Sequence, residues 1–312
     1  MKKLIYFLII VTFFSCENME TVVDLDVPPH SPVLVVNGIL DTDTNTKIFV
    51  SHSVDAFSNL NPSFISDASV RLYKNNDNVP VAILTPDTSE LIYVYTERGD
   101  SLAAYCYKSQ YVPQKNSFYR IVVEHSNYKS VVAETYIPDD ILLYNINIDS
   151  ESNDDRIKLR FSYDDVIEQQ NYYRLQLYST CSKEWEDYVY EFNDWVEFLS
   201  NDPSFPQDDI PWEGYTYFGQ DVVFTDALFD GQTKTIELDV ETEYDWGDCD
   251  TVIVRFSNFS DDTYRYYRSL EDHVEKGEVD IFGGEVIPVY SNVTNGLGVL
   301  ISVNAQNVYL KP

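Results

Sequence analysis

Cys16 is the residue whose surroundings define a chemistry most sharply. It closes the segment MKKLIYFLIIVTFFSC, where Lys2 and Lys3 precede an apolar core from Leu4 to Phe14 and Ser15 supplies the small residue before the thiol. A charged start, a short apolar core and a small residue make an export signal. The core is too short to remain as a helix spanning a bilayer. A cysteine directly after the cleavage position is the pattern on which bacterial lipidation acts, although Phe13 stands where the strict pattern has leucine. Residues 1–15 are therefore expected to be removed and Cys16 to carry lipid, which would tether the body to a membrane.

The other thiols are Cys106, Cys181 and Cys249. An exported chain meets an oxidising compartment, so one disulfide with one spare cysteine is the simplest arithmetic. Cys181 follows the strand-like YYRLQLYST and Cys249 precedes TVIVRFSNF, which makes them the preferred pair, the alternative being that both stay reduced. Zinc is disfavoured because there is no CxxC pair and His30, His52, His125 and His273 are scattered. Asp41, Asp43 and Asn45 alternate like half of a calcium loop, but Thr46 replaces the glycine and His52 the final glutamate, so a hairpin turn is expected there. The acidic run Asp149, Glu151, Asp154 and Asp155 is expected to be a solvated loop. No GxSxG elbow, HExxH or local Cys–His signature is present, and with 52 acidic residues paired carboxylates arise by chance. The sequence gives no ground for an enzyme, a cofactor or a metal.

A binding surface has a better case. Residues 181–219 concentrate Trp185, Tyr188, Tyr190, Phe192, Trp195, Phe198, Phe205, Trp212, Tyr215, Tyr217 and Phe218 among carboxylates. Such rings stack on sugar faces or on cationic side chains. The candidates for ligand or partner contact are Trp185, Tyr188, Trp195, Trp212 and Tyr215. Against that, Trp185, Tyr188, Phe192, Trp195 and Phe198 fall near helical spacing, which predicts a helix burying one face.

The elements that must position these residues are mostly strands. The net charge is −31 with 15% aromatic residues, so the chain repels nucleic acid yet has the apolar content of a folded body. Residues 16–31 are polar and proline-containing, as befits a tether. Then β-rich runs follow at 33–39, 46–54, 68–74, 79–84, 91–96, 117–125 and 130–137, separated by turn residues, which indicates a sandwich or barrel. Pro138-Asp139-Asp140 interrupts the pattern as a domain boundary. Longer runs follow at 141–148, 156–163, 171–179, 222–226, 234–240, 251–259 and 298–303. One helix is expected, capped by Asp262, with Tyr264, Tyr267, Leu270 and Val274 on one face and Gly277 at its end. After it, Asn295-Gly296 can form a tight turn, and Gly298 permits close backbone approach before the chain re-enters a sheet.

IFGGEVIPVYSNVTNGLGV at 281–299, with LVVNGIL, DASVRLY at 67–73, NYYRLQL at 171–177 and the Cys16 segment, resembles the Bacteroidota outer-membrane lipoprotein family catalogued as domain of unknown function 4249. This chain departs from the family at Leu300, where an aromatic is usual. The resemblance implies two β-sandwich domains, 32–138 and 139–312, of transthyretin or immunoglobulin type, with one or two short helices in the second. It also implies an outer-membrane station beside a TonB-dependent transporter, with cell-surface exposure in view. The expected role is a non-catalytic accessory or ligand-capture subunit of that transporter. The alternative is an autonomous adhesin or glycan- or peptide-binding lipoprotein.

Overall fold

Apolar and polar residues alternate along LVVNGILD, SFYRIVVE and VVAETYI, and each of these segments is a strand with one buried face. The computed structural model describes residues 30–55, 63–95, 101–149, 156–185, 188–207, 210–241, 248–277 and 287–311. Cys16, the tether up to residue 29 and the loop 150–155 lie outside the described residues.

The chain is mostly β. Its first group of strands is β1 (Leu34–Asp41), β2 (Lys47–His52), β3 (Ser69–Lys74), β4 (Ala82–Tyr95), β5 (Ser101–Lys108), β6 (Ser117–Glu124) and β7 (Val131–Ile137). Next come β8 (Tyr144–Asp149), β9 (Arg156–Asp164), β10 (Tyr172–Trp185), β11 (Tyr188–Trp195), β12 (Phe198–Ser200), β13 (Tyr217–Gly219) and β14 (Asp221–Thr225). Then β15 (Thr233–Glu241) and β16 (Asp248–Phe259) lead into α1 (Asp261–Gly277), the one helix among the described residues, followed by β17 (Val293–Thr294) and β18 (Leu297–Leu310). The runs expected at 79–84 and 91–96 are a single strand, β4, whose register with β5 shifts between Asp87 and Ile92. A bulge there absorbs the polar interruption without ending the pairing.

One sheet runs in the order β11–β10–β16–β18–β1–β2–β5–β4–β3–β6–β7–β17, with β14 pairing on β10, and a five-stranded sheet runs β13–β12–β15–β9–β8. Two hydrophobic cores result. Leu34, Val36, Ile48, Val70, Leu72, Tyr107, Tyr119 and Ile121 belong to the first. Phe161, Tyr163, Tyr173, Leu175, Phe224, Phe256 and Leu238 belong to the second, between the five-stranded sheet and β10, β14 and β16. Each fully buried aliphatic or aromatic side chain contributes about 1.5–3 kcal/mol. Residues 32–312 make one compact unit.

The strand that joins the two cores is β18. Its first half pairs parallel with β1, Val35 opposite Leu297 through Asp41 opposite Val303. Its second half pairs antiparallel with β16, Asn304 opposite Asn258 through Leu310 opposite Val252. Leu300 is fully buried in the first core. Polar residues at every second position, Ser302, Asn304 and Gln306, donate to the carbonyls of Tyr136, Pro138 and Ile141. The proline-interrupted segment after β7 is thus bonded along β18.

The helix begins two residues earlier than expected. Ser260, rather than Asp262, caps it: its Oγ accepts from the backbone N–H of Thr263. Asp262 instead accepts a 2.5 Å bond from the Tyr290 hydroxyl. The Asp41–Asn45 segment is the β1–β2 turn, in which Asp41 accepts the Asp43 N–H at 2.8 Å.

Asn295 has φ 64° and Gly298 φ 102°, the left-handed region. A Cβ on Gly298 would overlap the Val36 carbonyl oxygen on the parallel neighbour. Gly214 also has φ 90° but open space around it. Gly214→Ala is expected to cost about 1 kcal/mol for its backbone angle alone. Gly298→Ala, which adds the clash, is expected to cost about 2–3 kcal/mol. Urea denaturation of both variants tests this; equal costs would mean that the β1–β18 approach is not tight.

Tyrosines are unusually frequent in the cores. Burial, then the neighbouring Tyr173 and Asp165, pushes Tyr163 well up, and burial with the bond to Asp165 does the same for Tyr173. Tyr290 is pushed up to about 12 by burial and its bond to Asp262. A phenol that ionises in the unfolded chain before it does so in the folded one leaves stability whole below the ordinary tyrosine range, and stability falls as pH rises through the raised values. Above about pH 10 the expected outcome is one cooperative unfolding step that coincides with phenolate absorbance. Graded ionisation with the fold intact would contradict it.

Candidate functional site

The five-stranded sheet turns its apolar positions inward and its charged positions outward. On β9, Leu159 and Phe161 face the core, which leaves Lys158 and Arg160 on the outer side; on β15, Leu238 faces in and Glu237 and Asp239 face out. Across this outer face lies a groove of about 490 Å³, with Asn147 and Asp149 from β8 and Asn201, Asp202 and Tyr215 from the segment between β12 and β13. Its lining is mixed in sign, with Lys158 and Arg160 against Asp149, Asp202, Glu237 and Asp239.

Most of these charges are engaged. Arg160 pairs with Glu237 at 3.2 Å, and Lys234 donates to Asp202 at 2.7 Å. The Tyr215 hydroxyl donates to Asp239 at 2.6 Å, and this bond, with some burial, pushes the phenol up. Tyr215 is placed by a tight turn: its N–H donates to the Trp212 carbonyl at 2.8 Å and the reverse bond is 3.1 Å, with Glu213 and Gly214 at positive φ between them. Arg156 braces the turn, donating to Glu213 at 2.8 Å and to Glu241 at 2.9 Å. Trp212 is 55% exposed and stacks on Phe218, itself 37% exposed, with ring centroids 6.0 Å apart. The result is a polar floor beside exposed ring faces, an arrangement suited to a ligand with both hydroxyl and apolar faces.

The aromatic segment 181–219 is not one surface. The helix predicted from its spacing is absent: Trp185, Tyr188, Phe192 and Trp195 lie on the β10–β11 hairpin, with Trp185 opposite Tyr188 and Cys181 opposite Phe192. Cross-strand pairing to β10 holds this segment, which a spacing argument within one segment cannot detect. The side chains of Trp185 and Tyr188 lie outside the described residues. Trp195 is 41% exposed and packs on Tyr178 at 4.4 Å, on the edge of the larger sheet. Phe198, Phe205 and Tyr217 are buried in the second core. Of the five candidates, Tyr215 lines the groove, Trp212 is bonded to it through the turn without lining the groove, and Trp195 sits on another sheet. The polar residues of the groove were missed because alternation in RIKLRF and TIELDV shows that they point outward, not what faces them.

Cys181 and Cys249 form a disulfide, opposite each other in the β10–β16 ladder beside a register shift at Thr180/Cys181. Cys106 is buried. The bridge closes a loop of 68 residues that contains β11 to β15 and the Trp212–Tyr215 turn. Reduction, or Cys181→Ala with Cys249→Ala, is expected to cost about 2–4 kcal/mol. Chemical denaturation with and without reductant measures it, and an unchanged midpoint would show that β-pairing alone closes the loop.

The family model described as domain of unknown function (DUF4249) matches residues 20–307. No curated protein matches the chain. Among solved structures it is similar to the B domain of a biofilm associated protein, at 9% identity over 88% of this chain and 85% of that one, with a TM-score of 0.18. It is also similar to the yeast delta-COP-I mu-homology domain, at 10% identity over 90% and 97%, with a TM-score of 0.20. Likenesses this low carry no argument.

Proposed function

The chain belongs to the DUF4249 family, and we propose that it is a lipid-anchored outer-membrane protein that captures a ligand as the non-catalytic accessory subunit of a TonB-dependent transporter. In this reading Cys16 carries the lipid, residues 16–31 are the tether, and two β-sandwich modules form the body on the cell surface, the first built from 32–138 and completed by β17 and the first half of β18, the second from the rest of 139–312. The observation that carries the reading is the groove on the outer face of the five-stranded sheet, lined by Tyr215, which the turn from the exposed Trp212 positions. Asp202, Glu237 and Asp239 are tied up in ion pairs and a tyrosine bond, which favours holding a ligand over moving protons. The strong negative charge supports a lipid anchor over a basic patch as the means of membrane attachment and argues against nucleic acid as partner.

Two measurements test this. Cys16→Ala is expected to move the protein from the membrane to the soluble fraction; retention in the membrane overturns the anchor. A mild-detergent pull-down of the tagged, lipidated protein from its native membrane is expected to recover a TonB-dependent barrel in stoichiometric amount. Recovery of the protein alone overturns the accessory role and favours the second reading, an autonomous adhesin or glycan- or peptide-binding lipoprotein, which the exposed Trp195 and Trp212 support.

A further inference from the structure

Away from the groove, at one end of the second core, three carboxylates converge. Asp165 follows β9, and Asp226 and Asp230 lie between β14 and β15. One oxygen of each lies within 4.8 Å of the others, and Asp165 and Asp226 are buried. Their positions are fixed by donors that the chain itself supplies. The Gly231 N–H donates to Asp165 Oδ2 at 2.8 Å, the Tyr173 hydroxyl donates to Asp165 Oδ1, and the Asn171 N–H donates to Asp226 Oδ2 at 2.7 Å. Lys234, opposite Tyr163 in the β9–β15 ladder, is committed to Asp202 at 2.7 Å.

An independent observation comes from Tyr163. It is fully buried, and its hydroxyl has no hydrogen-bond partner among the described residues. Its ring stands edge-on to Tyr173 at 5.2 Å, whose hydroxyl donates to the Asp165 carboxylate, and to Phe229 at 6.2 Å, whose backbone N–H donates to the Asp226 main-chain carbonyl. The hydroxyl accordingly lies in the field of Asp165 and Asp226. A buried hydroxyl of this kind requires an oxygen to bond.

We propose that Asp165, Asp226 and Asp230 bind a calcium ion, with the Tyr163 hydroxyl bonding a water of its coordination shell. The donors are all oxygens, with neither histidine nor cysteine among them, which suits a hard cation and excludes a preference for zinc. Three chain segments meeting irregularly suit calcium, which tolerates variable geometry, better than magnesium, which demands an octahedron. Binding would pin the segment 165–171, whose Gln169, Gln170 and Asn171 line a second cleft with Phe118, Tyr136 and Arg265.

The test uses the full mature chain, stripped with chelator, and two probes. Calcium at about millimolar concentration is expected to raise the thermal midpoint, and terbium is expected to luminesce on tyrosine excitation with one tight site per chain. Asp230→Asn, at an exposed position, and Asp226→Asn are each expected to weaken terbium binding about tenfold or more. Asp43→Asn, in the β1–β2 turn, is the control for the general acidity of the chain. No calcium-dependent shift overturns the proposal. So does binding that both site variants retain at wild-type strength, which would assign it to surface charge; if Asp226→Asn does not fold, Asp230→Asn decides alone.

Discussion

The rest of the structure depends on the double pairing of β18. A strand that spends its first half beside β1 and its second beside β16 belongs to two cores at once, and neither core closes without it. Leu300 seals the first, while Val308 and Leu310 pack against the second. The requirement is strict in the backbone as well. The parallel approach to β1 brings the Val36 carbonyl against Gly298, where only the absence of a side chain leaves room.

Burial divides the rings and carboxylates of this aromatic-rich, acidic chain into two sets. Rings that reach the interior, such as Phe198, Phe205 and Tyr217, close one end of the second core. Those that cannot reach it remain on edges and turns, and two of them stand beside the charged outer face of the five-stranded sheet. Carboxylates are accommodated by the same division. Outer ones such as Glu237, Asp261 and Asp272 meet arginine or lysine, whereas Asp165 and Asp226 are buried and held by backbone N–H groups, a tyrosine hydroxyl and an asparagine.

Legibility in the sequence followed the range of the interactions. Alternation over a few residues marks β1, β6, β7 and β9 almost to their ends, because burial of one face of a strand is a local pattern. The helix was legible in its body and not at its start, since Ser260 and Asp262 are both chemically able to cap and the bond from Tyr290 claims the second. What was not legible depends on partners far along the chain. The β10–β11 hairpin carries rings at helical spacing, and only pairing with β10 decides for strand. The pairing of β1 with β18 joins residues more than 250 positions apart, and the groove needs three strands and a loop to exist at all. The acidic cluster was hidden for the same reason, being split between residues 165 and 226–230 in a chain where acids are everywhere.

The position of β1 has a mechanical consequence. It is the first strand among the described residues, and it is hydrogen-bonded on both sides, to β2 and to β18. A pull arriving through the residues before Leu34 runs along the strand axis, so both ladders are loaded together in shear instead of opening one bond at a time like a zipper. Because β18 continues from β1 into its ladder with β16, the load spreads beyond the first core. A load on the amino end of β1 therefore meets two ladders at once.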